Sequence, residues 1–546
     1  MIFIPGTMDI FARAWLNLIR SKKMRYGWII LGLILMSNAC ERNDNGGTGS
    51  DDYITISLNL DDREQQMKAF GASDAWSTQF VGSRWPVEKK EQVATLLFSH
   101  ESNTDGNPLG IGLSGWRFNI GAGSSEQGSA SQISDAWRRA ECFLNADGSY
   151  NWEKQEGQRW FLNQASAHGV EDLTAFVNSP PVHYTKNGYA WSDGGNSANL
   201  KSTHFGDYAR FLATVIDHIQ QGEGITFDYV SPVNEPQWDW SNKGQEGSPF
   251  RNEEIAQLAG LLSGELVSNG LSTEIEITDA GQIKYLYTAA DKPERGNQAY
   301  AFFDPASEDY LGDLGNISFK IAGHSYYSTY PASHMIDERK KLEKGLEAVH
   351  PDLEFWQTEY CILEGNNEIN GNGRDLGIDP ALYMSRVIHY DLTVANSATW
   401  YWWLAVSPYD YKDGLVYIDY DKSDGNVEDS KLLWALGNYS RFILPGMYRY
   451  GIIRSDNKLN EMASDGLMVS GYSGNDGEEA VYVMVNYADH AYPVKVKTTA
   501  SGEPGGILIY TTSAISGENL KRSVPADPAG VLSIPARSVV TVVATY

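Results

Sequence analysis

The amino-acid sequence predicts an α/β protein: a (β/α)8 TIM barrel with an appended C-terminal antiparallel β-sandwich. Three observations predict it. At 546 residues the chain exceeds one ordinary core, so two folded units are expected. From about Phe70 to Tyr420, short apolar runs ending in polar residues alternate with amphipathic stretches, the pattern of βα units and a parallel sheet. After Pro445-Gly446 the pattern changes to short alternating runs separated by Gly, Asp and Pro, the pattern of antiparallel strands.

The first segment, residues 1–40, reads as an address. Lys22, Lys23 and Arg25 precede an apolar run from Gly27 to Met36, which leads into Ser37-Asn38-Ala39-Cys40. That run has ten residues, too few to cross about 30 Å of hydrocarbon as a helix. A basic start, a short apolar stretch and small residues before a cysteine resemble a bacterial lipoprotein signal, which implies lipidation of Cys40 as the new N-terminus. A buried helix with an incidental cysteine is the competing reading. Met8 or Met24 would each give the signal a more ordinary start. Residues 41–52 are polar, contain Gly and lack apolar periodicity, so a flexible tether is expected. The implied location is the bacterial outer membrane, reached through the lipid alone, with the protein working on the membrane surface. Cys142 and Cys361 are then left as free thiols.

Residues 53–66 follow, where the alternating Tyr53–Leu60 is expected to give a strand to the sandwich. Residues 67–445 are expected to form the barrel. Its eight strand candidates are Lys68–Ser73, Gly115–Ile120, Leu173–Asn178, Phe227–Asn234, Glu274–Asp279, Phe319–His324, Glu354–Glu359 and Ser397–Leu404. Helix candidates between them include Val87–Phe98, Gly157–Ala167, Phe205–Gln220, Asn252–Asn269, Ile336–Val349 and Pro380–Ala395. Eight units favour a closed barrel over an open doubly wound sheet, and no phosphate-cradling glycine motif supports the latter. Residues 446–546 carry the sandwich candidates Gly466–Ser470, Ala480–Asn486, Tyr492–Thr498, Gly506–Thr511 and Ser538–Thr545.

Composition narrows the function. The net charge is −27, and no basic patch is present, which argues against nucleic acid as a partner. Removal of the leader, with its five basic residues and one acidic residue, brings the charge to −31. Three cysteines cannot build a disulfide framework. His324 has no second histidine at ligand spacing and the ten histidines are scattered, so no metal is expected; no cofactor is expected either. The 16 Trp and 31 Tyr exceed the needs of a core this size and hint at carbohydrate, although core packing explains most single rings. A monomer is expected.

Two glutamates stand where a barrel collects its chemistry, at C-terminal strand ends. Glu235 follows Phe227–Asn234 and precedes Pro236; Glu359 closes Phe355-Trp356-Gln357-Thr358. A carboxyl closing an apolar strand is costly unless it is paired or used. Paired carboxyls are also the usual tool for cutting a glycosidic bond. A loop salt bridge is the alternative for either one alone.

Around these residues the chain resembles glycoside hydrolase family 30, from about Phe70 to Tyr546. Asn234-Glu235-Pro236 matches the family's Asn-Glu-Pro, which implies that Glu235 is the acid/base and that Asn234 contacts a sugar 2-hydroxyl. Glu359-Tyr360-Cys361 matches a Glu-x-Cys of the family, implying that Glu359 is the nucleophile. Ile321-Ala322-Gly323-His324-Ser325-Tyr326 resembles its sixth strand, whose His and Tyr face the nucleophile, here His324 and Tyr326. Gly110-Ile111-Gly112 and Arg117 resemble its second strand, whose arginine pairs with the nucleophile. Trp402-Trp403-Leu404-Ala405 resembles the eighth strand and implies Trp402 under the −1 sugar. Gly437-Asn438-Tyr439 through Pro445-Gly446 resembles the junction into the sandwich.

The resemblance implies a retaining mechanism, with an arginine keeping Glu359 ionised and Glu235 protonated at the start. Ion-pair, strand-end and core roles remain the alternatives for Arg117, His324 and Trp402, and Cys361 is read as a buried small residue. Asp74, after Phe70-Gly71-Ala72-Ser73, and Asn178 are expected to hold sugar hydroxyls. Trp238 and Trp240 are placed for a +1 platform, with loop packing as their alternative. Asn178-Ser179-Pro180-Pro181, together with Gly115-Trp116-Arg117-Phe118-Asn119-Ile120-Gly121, resembles the branch of endo-β-1,6-galactanases. That branch supplies the expected polysaccharide substrate. β-1,6-Glucan, xylan or a small β-glycoside is the enzymatic alternative, and a non-catalytic glycan-binding lipoprotein is the alternative from another class.

Overall fold

The computed structural model describes residues 53–458, 460–475 and 477–546. The leader, Cys40 and the tether lie outside the described residues.

The chain enters through β1 (Ile54–Gln66) and then builds eight parallel strands: β2 (Ala69–Ser73), β3 (Gly115–Asn119), β4 (Asp172–Phe176), β5 (Tyr229–Ser231), β6 (Glu274–Ala280), β7 (Ile317–His324), β8 (Glu354–Tyr360) and β9 (Thr399–Ser407). Each pairs with the next, and β9 pairs with both β8 and β2, which closes the barrel. Strands β2, β3, β4 and β9 are buried along their whole length, as expected of strands with barrel core on one face and helices on the other. Two further strands, β10 (Gly414–Ile418) and β11 (Val427–Asp429), extend the sheet beyond β9.

The helices are α1 (Thr78–Arg84), α2 (Val87–Phe98), α3 (Ser124–Gln127), α4 (Glu156–Ala167), α5 (Phe205–Glu223), α6 (Asn252–Ser268), α7 (Lys284–Tyr287), α8 (Gln298–Phe303), α9 (Ala332–Val349), α10 (Ile378–Thr393) and α11 (Lys431–Ser440). α5 shows why they form. Phe205, Tyr208, Leu212, Val215, Ile216 and Ile219 recur at helical spacing and are all buried. Gly224, with φ +70°, ends the helix in the left-handed conformation that glycine adopts without steric cost. Among the described residues no helix is long and apolar enough to cross a membrane.

The second sheet adds β12 (Tyr448–Arg454), β13 (Leu467–Ser473), β14 (Glu479–Asn486), β15 (Tyr492–Thr498), β16 (Gly506–Ser513), β17 (Lys521–Ser523), β18 (Leu532–Ile534) and β19 (Ser538–Thr545). Its order is β17-β16-β19-β14-β13-β12-β1-β15-β18. One pairing departs from the antiparallel expectation: β1 runs parallel to β15. β1 arrives from the far end of the chain, so no hairpin fixes its direction against β15.

Alternation along β14 divides its burial between two cores. Ala480, Tyr482 and Met484 fill the interior of the second sheet, while Val481, Val483 and Val485 pack with the barrel's core. Asn438 of α11 fixes the junction: its amide donates to Thr541 Oγ1 at 2.9 Å and to the Tyr510 carbonyl at 3.1 Å.

Candidate active site

The C-terminal strand ends bring a set of charged side chains together in the barrel. Glu235 follows β5 in a left-handed conformation, φ +45°, and its N–H donates to the carbonyl of Asp279 at 2.8 Å. Asp279, near the end of β6, is also left-handed at φ +50°. Such residues persist only where their surroundings over-determine them. Glu359 lies at the end of β8. Arg117 Nη1 donates to its Oε2 at 3.1 Å, and the Tyr326 hydroxyl donates to its Oε1 at 3.1 Å. An oxygen of Glu235 and an oxygen of Glu359 lie within 4.8 Å of each other.

His324, at the end of β7, stands between the two glutamates. Its Nδ1 is 3.0 Å from Glu235 Oε1 and 3.6 Å from Glu359 Oε1, and its Nε2 is 3.5 Å from Asp279 Oδ1. Arg117 closes the network with a 2.9 Å bond from Nη2 to Asp279 Oδ2, while its guanidinium lies 4.1 Å over the Phe176 ring. Ser231 and Thr358 also donate to Asp279, one to each oxygen.

The electrostatics follow from these contacts. Burial pushes Glu235 upward, the His324 cation pulls it back, and Glu359 and Asp279 push it up again, leaving it at about 7. Burial lowers His324, but the charge of Glu359 and the bonds to Asp279 and Glu235 more than reverse this, raising it to about 10. Burial would also raise Asp279, yet Arg117 and His324 overcome it and hold that carboxyl well below the usual range. The site therefore pairs a carboxyl that can carry a proton near neutrality with two fixed cations.

Among the described residues, Glu235, His324 and Glu359 are also the group whose ligand atoms stand close enough to hold a metal ion. The charge of Glu359 and the bonds to Glu235 and Asp279 favour the protonated imidazole of His324. A ligating imidazole must give up a proton.

The other expected residues fall as follows. Asn234 donates from Nδ2 to Asn178 Oδ1 at 3.1 Å, and Arg117 Nη2 reaches Asn234 Oδ1 at 3.5 Å. Asp74 follows β2, where its Oδ1 accepts from the Asn119 N–H at 2.9 Å and from Gln158 Nε2 at 3.2 Å. Burial raises Asp74 to about 8, against the pull of these bonds and of Arg117. Trp238 is half-buried beside Glu235, edge-on to the exposed Tyr327 ring at 6.0 Å. Trp240 donates from Nε1 to the Glu235 carbonyl at 3.1 Å, which braces the loop.

Trp402, expected under the −1 sugar, lies on the helix side of β9. Along β9, Trp400 donates to Asp391 of α10 at 2.9 Å, so this face points to the helices. Trp402 shares that face: its ring is 6.1 Å from Trp400 and 6.0 Å from Tyr360, its Nε1 donates to the Asp413 carbonyl, and it is 0% exposed. Trp403 is the ring turned into the barrel, edge-on to Trp76 at 5.5 Å and to Phe176 at 6.5 Å. The physical reason is strand alternation, which sends Trp402 and Trp403 to opposite faces.

Asp279 is the residue that sequence reasoning missed. It closes the alternating strand candidate Glu274–Asp279 as Glu359 closes its own, so a strand-end carboxyl was there to be read.

A parallel barrel carrying two buried glutamates and an arginine at its C-terminal strand ends defines the class of (β/α)8 glycoside hydrolases. The model of O-glycosyl hydrolase family 30 matches residues 53–417, and the chain belongs to that family. An endo-β-1,6-galactanase from Hypocrea rufa is 24% identical over 396 residues, covering 70% of this chain and 72% of the relative. An exo-β-1,6-galactobiohydrolase from Bifidobacterium longum subsp. longum is 28% identical over 138 residues, covering 24% of this chain and 9% of the relative. Among solved structures, a conserved exported protein from Bacteroides fragilis is 34% identical, with a TM-score of 0.84 over 90% of this chain and 100% of that one.

Proposed function

We propose that this glycoside hydrolase is a retaining endo-β-1,6-galactanase, with Glu359 as nucleophile and Glu235 as acid/base. The observation that carries the mechanism is the approach of the two carboxylates within 4.8 Å. That suits direct attack by one of them, whereas inverting enzymes leave room for a water at about 6.5–9.5 Å.

In the first step a Glu359 oxygen bonds to the anomeric carbon while the bond to the leaving oxygen breaks. Glu235 gives that oxygen its proton. With Oε1 engaged by His324, Oε2 is the atom that transfers it. In the second step water attacks the anomeric carbon, Glu235 takes the water's proton, and Glu359 leaves as carboxylate. The charge of Glu359 is one of the influences that raise Glu235. Its loss on forming the ester lowers Glu235 and turns it from acid into base.

The substrate reading rests on the relatives from Hypocrea rufa and Bifidobacterium longum, both named for β-1,6-galactan chemistry. The lipoprotein reading of the leader rests on its basic start, short apolar run and Cys40. On that reading Cys40→Ala releases the protein from membranes and ends labelling by a fatty-acid probe.

The test of the mechanism is paired. Glu359→Gln loses turnover on every substrate. Glu235→Gln loses about 10²–10⁴-fold on natural linkages and far less on activated aryl glycosides. NMR of the first product should show the β-anomer, and an α-anomer rejects the mechanism. Equal or reversed kcat/KM on β-1,6-galacto- and gluco-oligosaccharides of equal length rejects the galactan assignment alone.

A further inference from the structure

We propose that Asn119 reads a hydroxyl of the sugar bound against Glu359, as a specificity-determining residue of the pocket. This rests on the reading of that pocket as the −1 subsite.

Three observations carry it. The first is direction. Arg117 and Asn119 lie two apart on β3, and Arg117 reaches Glu359 and Asp279 inside the barrel, so Asn119 faces inward one step nearer the mouth.

The second is how its two ends are held. The Asn119 N–H donates to Asp74 Oδ1 at 2.9 Å, and its carbonyl accepts from Gln155 Nε2 at 2.6 Å and Gln158 Nε2 at 3.1 Å. The side chain, 0% exposed, has no protein partner on either Oδ1 or Nδ2. Two glutamines thus fix the backbone, while an amide that can both donate and accept is left unpaired. A buried polar group in that state is costly unless something else completes it.

The third is company. Asp74 Oδ2, Trp76 Nε1 and Asn178 Nδ2 are likewise buried and unpartnered, and they lie at the ends of the three neighbouring strands β2, β3 and β4. Trp116 Nε1 is unpartnered too. Its ring, however, packs between Phe98 and Phe161 on the helix side, so it does not belong to the set.

Unpaired polar atoms at the ends of neighbouring strands match a polyhydroxylated ligand, and one amide matches one hydroxyl that donates and accepts in turn. A site that pairs such a hydroxyl rejects the analogue lacking it, because its own groups are then left bare.

The test compares kcat/KM for 2,4-dinitrophenyl β-galactoside with its 3-, 4- and 6-deoxy analogues, beside the corresponding glucoside set. Wild type should discriminate against one deoxy position by about 10²-fold or more. In Asn119→Leu that ratio collapses toward one while the others persist. Because the leucine removes a polar group that has no partner, its Tm should be at or above that of wild type. Asn119→Ala repeats the rate comparison should the leucine variant fail to accumulate.

Unchanged deoxy ratios overturn the proposal. So does a Tm lowered by several degrees with all substrates slowed alike, which marks a structural residue. A preference for the glucoside set rejects galactan, and the Asn119 comparison is then read on that set. Wild type inert on both sets withdraws the −1 reading and this inference together.

Discussion

His324 holds Nδ1 3.0 Å from Glu235 Oε1, a buried cation bonded to the carboxyl proposed to deliver the proton. With Glu235 at about 7, the alkaline limb of kcat/KM is expected near pH 7, since the enzyme needs that carboxyl protonated. The cation favours the ionised form, so its removal raises Glu235 further. His324→Gln should therefore move the alkaline limb to higher pH while lowering the maximum rate. A pH–rate profile on an oligosaccharide measures both, and a limb that stays or moves down contradicts the assigned contact.

Asp279 is predicted to matter as much to stability as to rate. It is 0% exposed and touches both cations, Arg117 at 2.9 Å and His324 at 3.5 Å. Asp279→Asn leaves a buried guanidinium short of one counter-charge, a change that costs about 3–5 kcal/mol when a buried pair is broken. Because Asp279 helps to raise His324, that residue's pKa should fall in the variant. Denaturant unfolding gives the first number, and NMR titration of the His324 ring gives the second. Because Asp279 lies well below its ordinary range in the folded protein, its stabilisation is present above pH 4. It is lost as the pH drops through the depressed value.

These residues also mark what the sequence made legible. The eight barrel strands could be placed because most are short apolar runs ending in polar residues; Glu359 and His324 were found at the ends of two of the runs and Glu235 just after a third. Asp279 carried the same signal, but it read as the polar stop of its strand; its importance lies in Arg117 and His324, which reach it from other strands. Tyr448–Arg454 escaped because two arginines and a glycine break its alternation. Which of the adjacent Trp402 and Trp403 faces inward was not legible, because two neighbouring tryptophans give no clue; alternation inside the folded strand decides that.

Asp74 links the site to pH-dependent stability with the opposite sign. Its carboxyl is raised from an ordinary 3.8 to about 8 by burial, so the folded state holds a proton there that the unfolded state releases. Stability from this group is fully present below about pH 4 and declines as the pH rises toward 8. Asp74→Asn is nearly isosteric and removes the dependence. Thermal melts should show the variant and wild type alike at pH 4 and the variant increasingly more stable up to pH 8, with turnover strongly reduced throughout. A variant that loses stability as pH rises would mean that the buried carboxyl is ionised and favourably paired.

The adjacent Trp402 and Trp403 of β9 offer the sharpest separation of site from scaffold. Trp403 faces Trp76 and Phe176 inside the barrel, and Phe176 lies under the guanidinium that holds Glu359, which makes Trp403 the ring predicted to meet a bound sugar. Trp402 packs against Tyr360 and Trp400 on the helix side. Losing the apolar contact of one aromatic face is worth about 1.5–3 kcal/mol. Trp403→Ala should therefore lower kcat/KM by about 10- to 100-fold, since each 1.4 kcal/mol is tenfold. Trp402→Ala should instead act as a core truncation, costing about 3–5 kcal/mol of stability, with kcat/KM of the folded fraction near wild type at low temperature. Fluorescence-monitored unfolding and kinetics on the same preparations decide between them. If Trp402→Ala were the variant that lost substrate affinity while keeping its stability, Trp402 rather than Trp403 would be the ring that meets the sugar.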